Sequence, residues 1–96
     1  MSVNSKWMSA VASTSCVICR EFEGVRTPAE VHHVAEGSAP RSDLLTVALC
    51  SEHHRGASGL HGMGTKQFCR LYRLNNEYHL FELQHKYMMI DGIIKN

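Results

Sequence analysis

The apolar positions fall into separate groups with different periods. Residues 44–49 (LLTVAL) form an unbroken apolar run of strand length, and residues 29–35 (AEVHHVA) form a short segment built around Val31 and Val34. Two strands are expected there. Phe68, Leu71 and Tyr72 recur at i, i+3 and i+4, the spacing of one helix face, with Thr65 as the expected cap. Leu80, Leu83, Tyr87 and Ile90 make a second helical stripe, and a helix through about Tyr87 is expected. The last residues also fit a tight hairpin about Asp91-Gly92, because apolar pairs flank that dipeptide. Ser51 reads as the N-cap of a short helix carrying Glu52, His53 and His54, which Gly56 and Gly59 should end early. Polar, Gly- and Pro-bearing segments at 20–28 and 36–43 read as turns and loops, and 61–64 (HGMG) as a flexible turn. Residues 1–15 read as a loose lead-in with a short helical piece around 7–12, and residues 16–96 as a single domain of α+β class.

Composition sharpens this picture. A chain of 96 residues buries only about 60–65% of the surface its unfolded form exposes, so its core is thin and a staple is expected. Four Cys and seven His supply many metal-capable side chains for that length. Ten Lys and Arg against nine Asp and Glu exclude binding to nucleic acid by bulk charge alone. No apolar run is long enough to span a membrane, and the first residues lack the apolar core of a secretory signal. The expected location is therefore cytoplasmic, where thiols stay reduced and paired cysteines read as metal ligands or a redox pair.

The strongest chemical signal is a pair of knuckles. Cys16-x-x-Cys19 and Cys50-x-x-His53 are separated by 30 residues. A two-residue gap lets one tight turn aim both its ligands at one ion, and four such ligands match tetrahedral Zn²⁺. A structural zinc would contribute folding free energy directly, which suits a thin core. Cys69 stands apart from this set and reads as a packed thiol. A two-Cys two-His finger fits Cys16, Cys19 and His32, but the positions for its last ligand hold Glu36, Gly37 and Ser38. The zinc deaminase pattern also fails, because the CxxC lies upstream of the His residues instead of downstream. A thiol-redox protein using Cys16 and Cys19 leaves the second knuckle without a purpose.

With His53 assigned to zinc, His32, His33, His54 and His61 remain. On a helix, His53 and His54 point about 100° apart, so they serve different sites. On a regular strand, His32 and His33 point to opposite faces. A neutral His acting as base, with one or two others holding a divalent ion, is sufficient for phosphodiester hydrolysis.

Cys16-x-x-Cys19, then Val31-His32-His33-Val34, then Asp43-Leu44-Leu45, then Leu49-Cys50-x-x-His53-His54-Arg55 resembles the HNH nucleases, also called ββα-metal or His-Me finger endonucleases. The text His61-Gly62-Met63-Gly64-Thr65-Lys66 with Phe68 and Tyr72 is most similar to the phage recombination-enhancement, RecA-dependent nucleases and kindred small phage HNH proteins. The resemblance covers about residues 16–72. It implies a zinc-stabilised ββα-metal domain with an added C-terminal helix, working on DNA in a bacterial host as a phage or prophage protein. It implies His33 as general base, with His32, His54 and His61 around a catalytic Mg²⁺, Mn²⁺ or other divalent ion. Cys16, Cys19, Cys50 and His53 become the structural zinc set, and a recombinase or other phage recombination protein is an expected partner.

The chain departs from the family pattern at three places. The middle Asn has no exact counterpart, Asp43 or Ser42 being nearest, and the usual fourth Cys is His53. The last His follows His54 by seven residues instead of four, with Gly56 and Gly59 between, so His61 is expected to reach the site from a loop. Arg41, Arg55 and Lys66 are the expected phosphate contacts; the alternative for such scattered cations is a solvated face. The competing function is a non-catalytic zinc module that binds nucleic acid or protein, a degenerate HNH domain.

Overall fold

The computed structural model describes residues 3–34 and 42–95. Helix α1 (Val3–Ser13) leads into a π-helical turn (Cys19–Glu23), and a hairpin of β1 (Glu30–His33) and β2 (Thr46–Leu49) follows. Helices α2 (Ser51–Arg55), α3 (Leu60–Met63), α4 (Thr65–Leu71) and α5 (Tyr78–Ile90) complete the α+β fold. No helix among the described residues is long and apolar enough to cross a membrane.

The hairpin is antiparallel, with Glu30 opposite Leu49, Val31 opposite Ala48, His32 opposite Val47 and His33 opposite Thr46. Directly opposed residues share a face and successive ones alternate. One face therefore carries Glu30, His32, Val47 and Leu49, and the other carries Val31, His33, Thr46 and Ala48. All four β2 residues are buried, because both faces are covered. Val47 and Leu49 join the main core with Leu60, Phe68, Leu80 and Leu83. Ala48 packs with Val11 and Met88, against which Trp7, Ala10 and Val31 also lie. That second cluster draws Trp7, Ala10 and Val11 from one face of α1, at the helical spacing i, i+3, i+4. So part of the segment expected as a loose lead-in forms α1 and covers one side of the hairpin.

Helix α5 buries Leu80, Leu83, Gln84, Tyr87 and Met88. Gln84, 1% exposed, accepts a hydrogen bond from the Ala48 amide at 2.9 Å and donates to Thr14 Oγ1 at 3.0 Å. It thereby satisfies an edge amide of β2 that has no strand beside it. The helix runs to Ile90, beyond Tyr87, and Gly92 turns the chain with φ of 77°. The Asp91-Gly92 hairpin does not form. An apolar stripe continued through Met88 holds that turn of helix against α1.

Three boundaries differ from expectation. Cys50, not Ser51, caps α2, its side chain accepting from the His53 amide. Gly64, not Thr65, precedes α4. Residues 61–64, expected as a flexible turn, lie largely within α3. The proposed loop at 36–43 and Arg41 fall mostly outside the described residues; Ser42 and Asp43 are described.

Candidate metal centres

Two clusters of metal-ligating side chains stand on the α2 side of the hairpin. The first is Cys16, Cys19, Cys50 and His53, with all four ligand atoms within 4.8 Å of one another. The Cys19 and Cys50 sulfurs are 4.0 Å apart, and His53 Nδ1 lies 3.6, 3.5 and 3.2 Å from the sulfurs of Cys16, Cys19 and Cys50. Tetrahedral zinc sets sulfur–sulfur edges of about 3.8 Å and sulfur–nitrogen edges of about 3.6 Å, given its usual bond lengths. The donor set therefore fits zinc in both kind and spacing.

The two knuckles are built alike. The Cys19 amide points at Cys16 Sγ and the His53 amide at Cys50 Sγ, each at 3.5 Å. Such amides stabilise thiolate. In the metal-free chain, however, burial dominates: it raises the Cys16 thiol and pushes Cys19 up to about 12. A bound dication reverses that preference, because a coordinating thiol is deprotonated. Gly24, with φ of 68°, closes the π-helical turn by bonding back to the Cys19 carbonyl. The Tyr72 ring stands edge-on to His53 at 5.7 Å and lies 4.9 Å from Phe68, which fixes the imidazole from the core side.

The second cluster is His32, His54 and His61, again with one ligand atom from each within 4.8 Å of the others. Their ring centroids are 4.8 to 5.2 Å apart. Three imidazoles converging in this way match a site for a divalent transition metal that keeps open positions. His32 comes from β1, His54 from α2 and His61 from α3. His54 and His53 diverge around α2 as a helical turn requires, so one short helix serves both clusters.

His61 reaches the cluster on a helix of its own. A Cβ on Gly59 would stand 2.8 Å from the His53 carbonyl carbon, and one on Gly62 would collide with the Gly56 carbonyl. These glycines let α3 pack directly on α2. In the sequence Gly59 reads as a helix breaker and Gly62 as part of a flexible turn; in the fold both are the contact surface.

Carboxylates back two of the three imidazoles. His32 Nε2 lies 2.6 Å from Glu77 Oε2, with both side chains nearly inaccessible. His54 Nδ1 lies 2.8 Å from Glu30 Oε1. Arg55 also grips Glu30, through Nε at 2.9 Å and through Nη2. Arg55 and, after it, His54 hold the Glu30 carboxyl down to about 2. Arg55 is thus committed to a carboxylate.

His33 is not in the triad. It ends β1 on the opposite face, and its Nε2 bonds Asp43 Oδ1 at 2.7 Å. Asp43 thus holds the His33 imidazole through its carboxylate.

Glu30 and Glu77 were not singled out by the sequence. Glu30 shares the face of His32 at i−2, a signal that strand alternation carries. Glu77 lies outside the region of the motifs and has no comparable signal. Lys66 lines a cleft of about 340 Å³ with Thr65, Cys69, Arg70, Leu74, Asn75 and Asn76. Lys66 and Arg70 are exposed on α4 and make no ion pair among the described residues.

A family model described as "Recombination enhancement, RecA-dependent nuclease" matches residues 2–87. No curated protein and no solved structure matches the chain.

Proposed function

The chain belongs to the recombination-enhancement, RecA-dependent nuclease family, and from that premise we propose that it is an HNH-type endonuclease hydrolysing DNA phosphodiester bonds. The observation that carries this reading is the convergence of His32, His54 and His61 beside the Cys-rich cluster. The resemblance implies an ion between a hairpin and a short helix; His32 on β1 and His54 on α2 support that reading, with His61 added from α3.

Cys16, Cys19, Cys50 and His53 would hold a structural zinc that joins the start of the domain to its middle. His32, His54 and His61 would hold a divalent ion, and three imidazoles favour a transition-metal ion over Mg²⁺, which prefers oxygen ligands. When bound, that ion supplies Lewis-acid stabilisation of charge on the phosphate and the leaving oxygen. His33 is the proposed general base. Asp43 accepts the Nε2 proton of His33 in a hydrogen bond, so a proton that His33 would take from water goes to Nδ1. The imidazole is thereby oriented by a carboxylate before substrate arrives. Lys66, with Arg70, lines the cleft proposed for the DNA strand on the α4 side.

Partner dependence follows from the family's description, so the assay should include DNA coated with RecA. Purified protein with Mg²⁺ or Mn²⁺ is expected to cut naked or RecA-coated DNA. His54→Ala and His33→Ala are expected to abolish cutting while each keeps one zinc per chain. Wild-type protein that binds DNA and cuts neither substrate would establish the non-catalytic zinc module instead. Full activity in His33→Ala would remove its assignment as base.

A further inference from the structure

Two imidazoles of the triad are gripped from behind, and on opposite nitrogens. His32 meets Glu77 through Nε2, whereas His54 meets Glu30 through Nδ1. A neutral imidazole has one N–H and one lone pair, and an ionised carboxylate only accepts. Each carboxylate therefore selects which nitrogen carries the proton and which remains for an ion.

Glu77 is the more telling of the two. It is 4% exposed and His32 is 5% exposed, so the contact is sealed from water. Both ends of the contact are held in packed structure. His32 lies in β1 opposite Val47, which is fully buried. Glu77 sits at the start of α5, where its carbonyl accepts from the amide of Leu80, also fully buried. The seating of α5 thus sets the direction of an imidazole carried by β1.

We propose that Glu77 is a positioning residue, which accepts the Nε2 proton of His32 in a hydrogen bond and so presents His32 Nδ1 to a divalent ion in the triad. Glu30 does the reverse for His54 and presents Nε2. The assignment rests on the reading of the triad as an ion site. The triad then mixes two tautomers, fixed before any ion arrives by residues that do not themselves touch it.

Long-range ¹H–¹⁵N correlation spectra of the intact protein, titrated with Zn²⁺ as a diamagnetic probe, test this directly. The first equivalent is expected at the cysteine cluster and the second at the triad. On the second, His32 should keep its proton on Nε2 and show its shift change at Nδ1; His54 should show the opposite pattern. Glu77→Ala is expected to scramble the His32 tautomer and weaken the second Zn²⁺ by about 10–100-fold, leaving the first unchanged. Glu77→Gln, which keeps an acceptor oxygen, should restore the tautomer and most of the affinity. A His32 proton on Nδ1 in the loaded wild type, or an unweakened second site in Glu77→Ala, would overturn the proposal. If Glu77→Ala does not fold, the wild-type tautomers and Glu77→Gln still decide it. DNA cleavage is measured in parallel: the predicted tautomers without any cleavage would sink the nuclease reading and leave the positioning role standing.

Discussion

The carbonyl of Gly56 occupies the space that a β-carbon on Gly62 would fill. That close approach seats α3 on α2 and turns His61 toward His54, with ring centroids 4.8 Å apart. Gly62→Ala is therefore expected to push α3 outward and open the triad. Overpacking of this kind costs about 1–3 kcal/mol, which a thermal melt reads. The sharper expectation concerns metal: the second Zn²⁺ equivalent weakens while the first does not. Unchanged affinity at both sites in calorimetry would show that the α2–α3 contact does not set the triad.

What could be read from the sequence follows from the range of each signal. Cys16-x-x-Cys19 and Cys50-x-x-His53 are local devices, in which a turn of fixed length aims two ligands, so spacing shows each knuckle, and the hairpin between them brings the two together. The divergence of His53 from His54 and of His32 from His33 follows from helix and strand periods, and the structure separates both pairs. Helix α3 was misread because Gly62 and Gly64 lower helix propensity; the packing that rewards a missing side chain is a tertiary fact. Glu77 was invisible for a related reason. A single Glu beyond the motifs carries no periodic or spacing signal, and only the docking of α5 brings it to His32.

Removing the metal from the cysteine cluster should do more than lower stability. A structural zinc contributes on the order of 10 kcal/mol to folding, comparable with the whole stability of a small domain. The four ligands tie the chain before β1 to α2, and Cys16 and Cys19 belong to the main core. Treatment with a strong chelator, or Cys50→Ser, is expected to abolish the cooperative unfolding transition in circular dichroism. A chelated protein, shown by metal analysis to be zinc-free, that melts cooperatively near the untreated temperature would contradict a zinc staple.

Asp91 gives a pH-dependent stability with a definite sign. It accepts from Arg20 Nη1 at 2.9 Å and Nη2 at 3.1 Å, and from Arg26 Nη2 at 2.8 Å. Arg20 also donates to the Thr14 carbonyl and lies over the Tyr87 ring, so the pair joins the knuckle to the end of α5. The Arg20 hydrogen bonds, reinforced by Arg26, hold the Asp91 carboxyl below its ordinary value. A carboxyl lowered on folding stabilises the fold above its unfolded value, near 3.9, and loses that contribution as pH falls through the folded value. Asp91→Asn is expected to cost about 2 kcal/mol at neutral pH, the scale of a hydrogen bond to a charged group. The difference between variant and wild type should shrink in urea melts taken below about pH 4. A difference independent of pH would mean that the charge of Asp91 does not matter.

The cleft on α4 predicts how DNA binding responds to salt. Lys66 and Arg70 stand four residues apart, hence on one helix face, and the same cleft includes Asn76, the neighbour of the Glu77 that holds His32. If a strand reaching the triad also runs along this cleft, its phosphates meet these two cations. Each cation that neutralises a phosphate releases condensed counterions, so binding weakens with salt by about 0.7 to 0.9 of a logarithmic unit per contact. Lys66→Ala with Arg70→Ala is expected to weaken binding at low salt and to flatten the log–log salt dependence by about 1.4 to 1.8. Both Zn²⁺ affinities should stay as in wild type, because neither side chain belongs to a metal cluster. Fluorescence anisotropy with a labelled single-stranded oligonucleotide over a range of salt concentrations reads the slope. An unchanged slope would place the strand on another face and leave Lys66 and Arg70 as solvated cations.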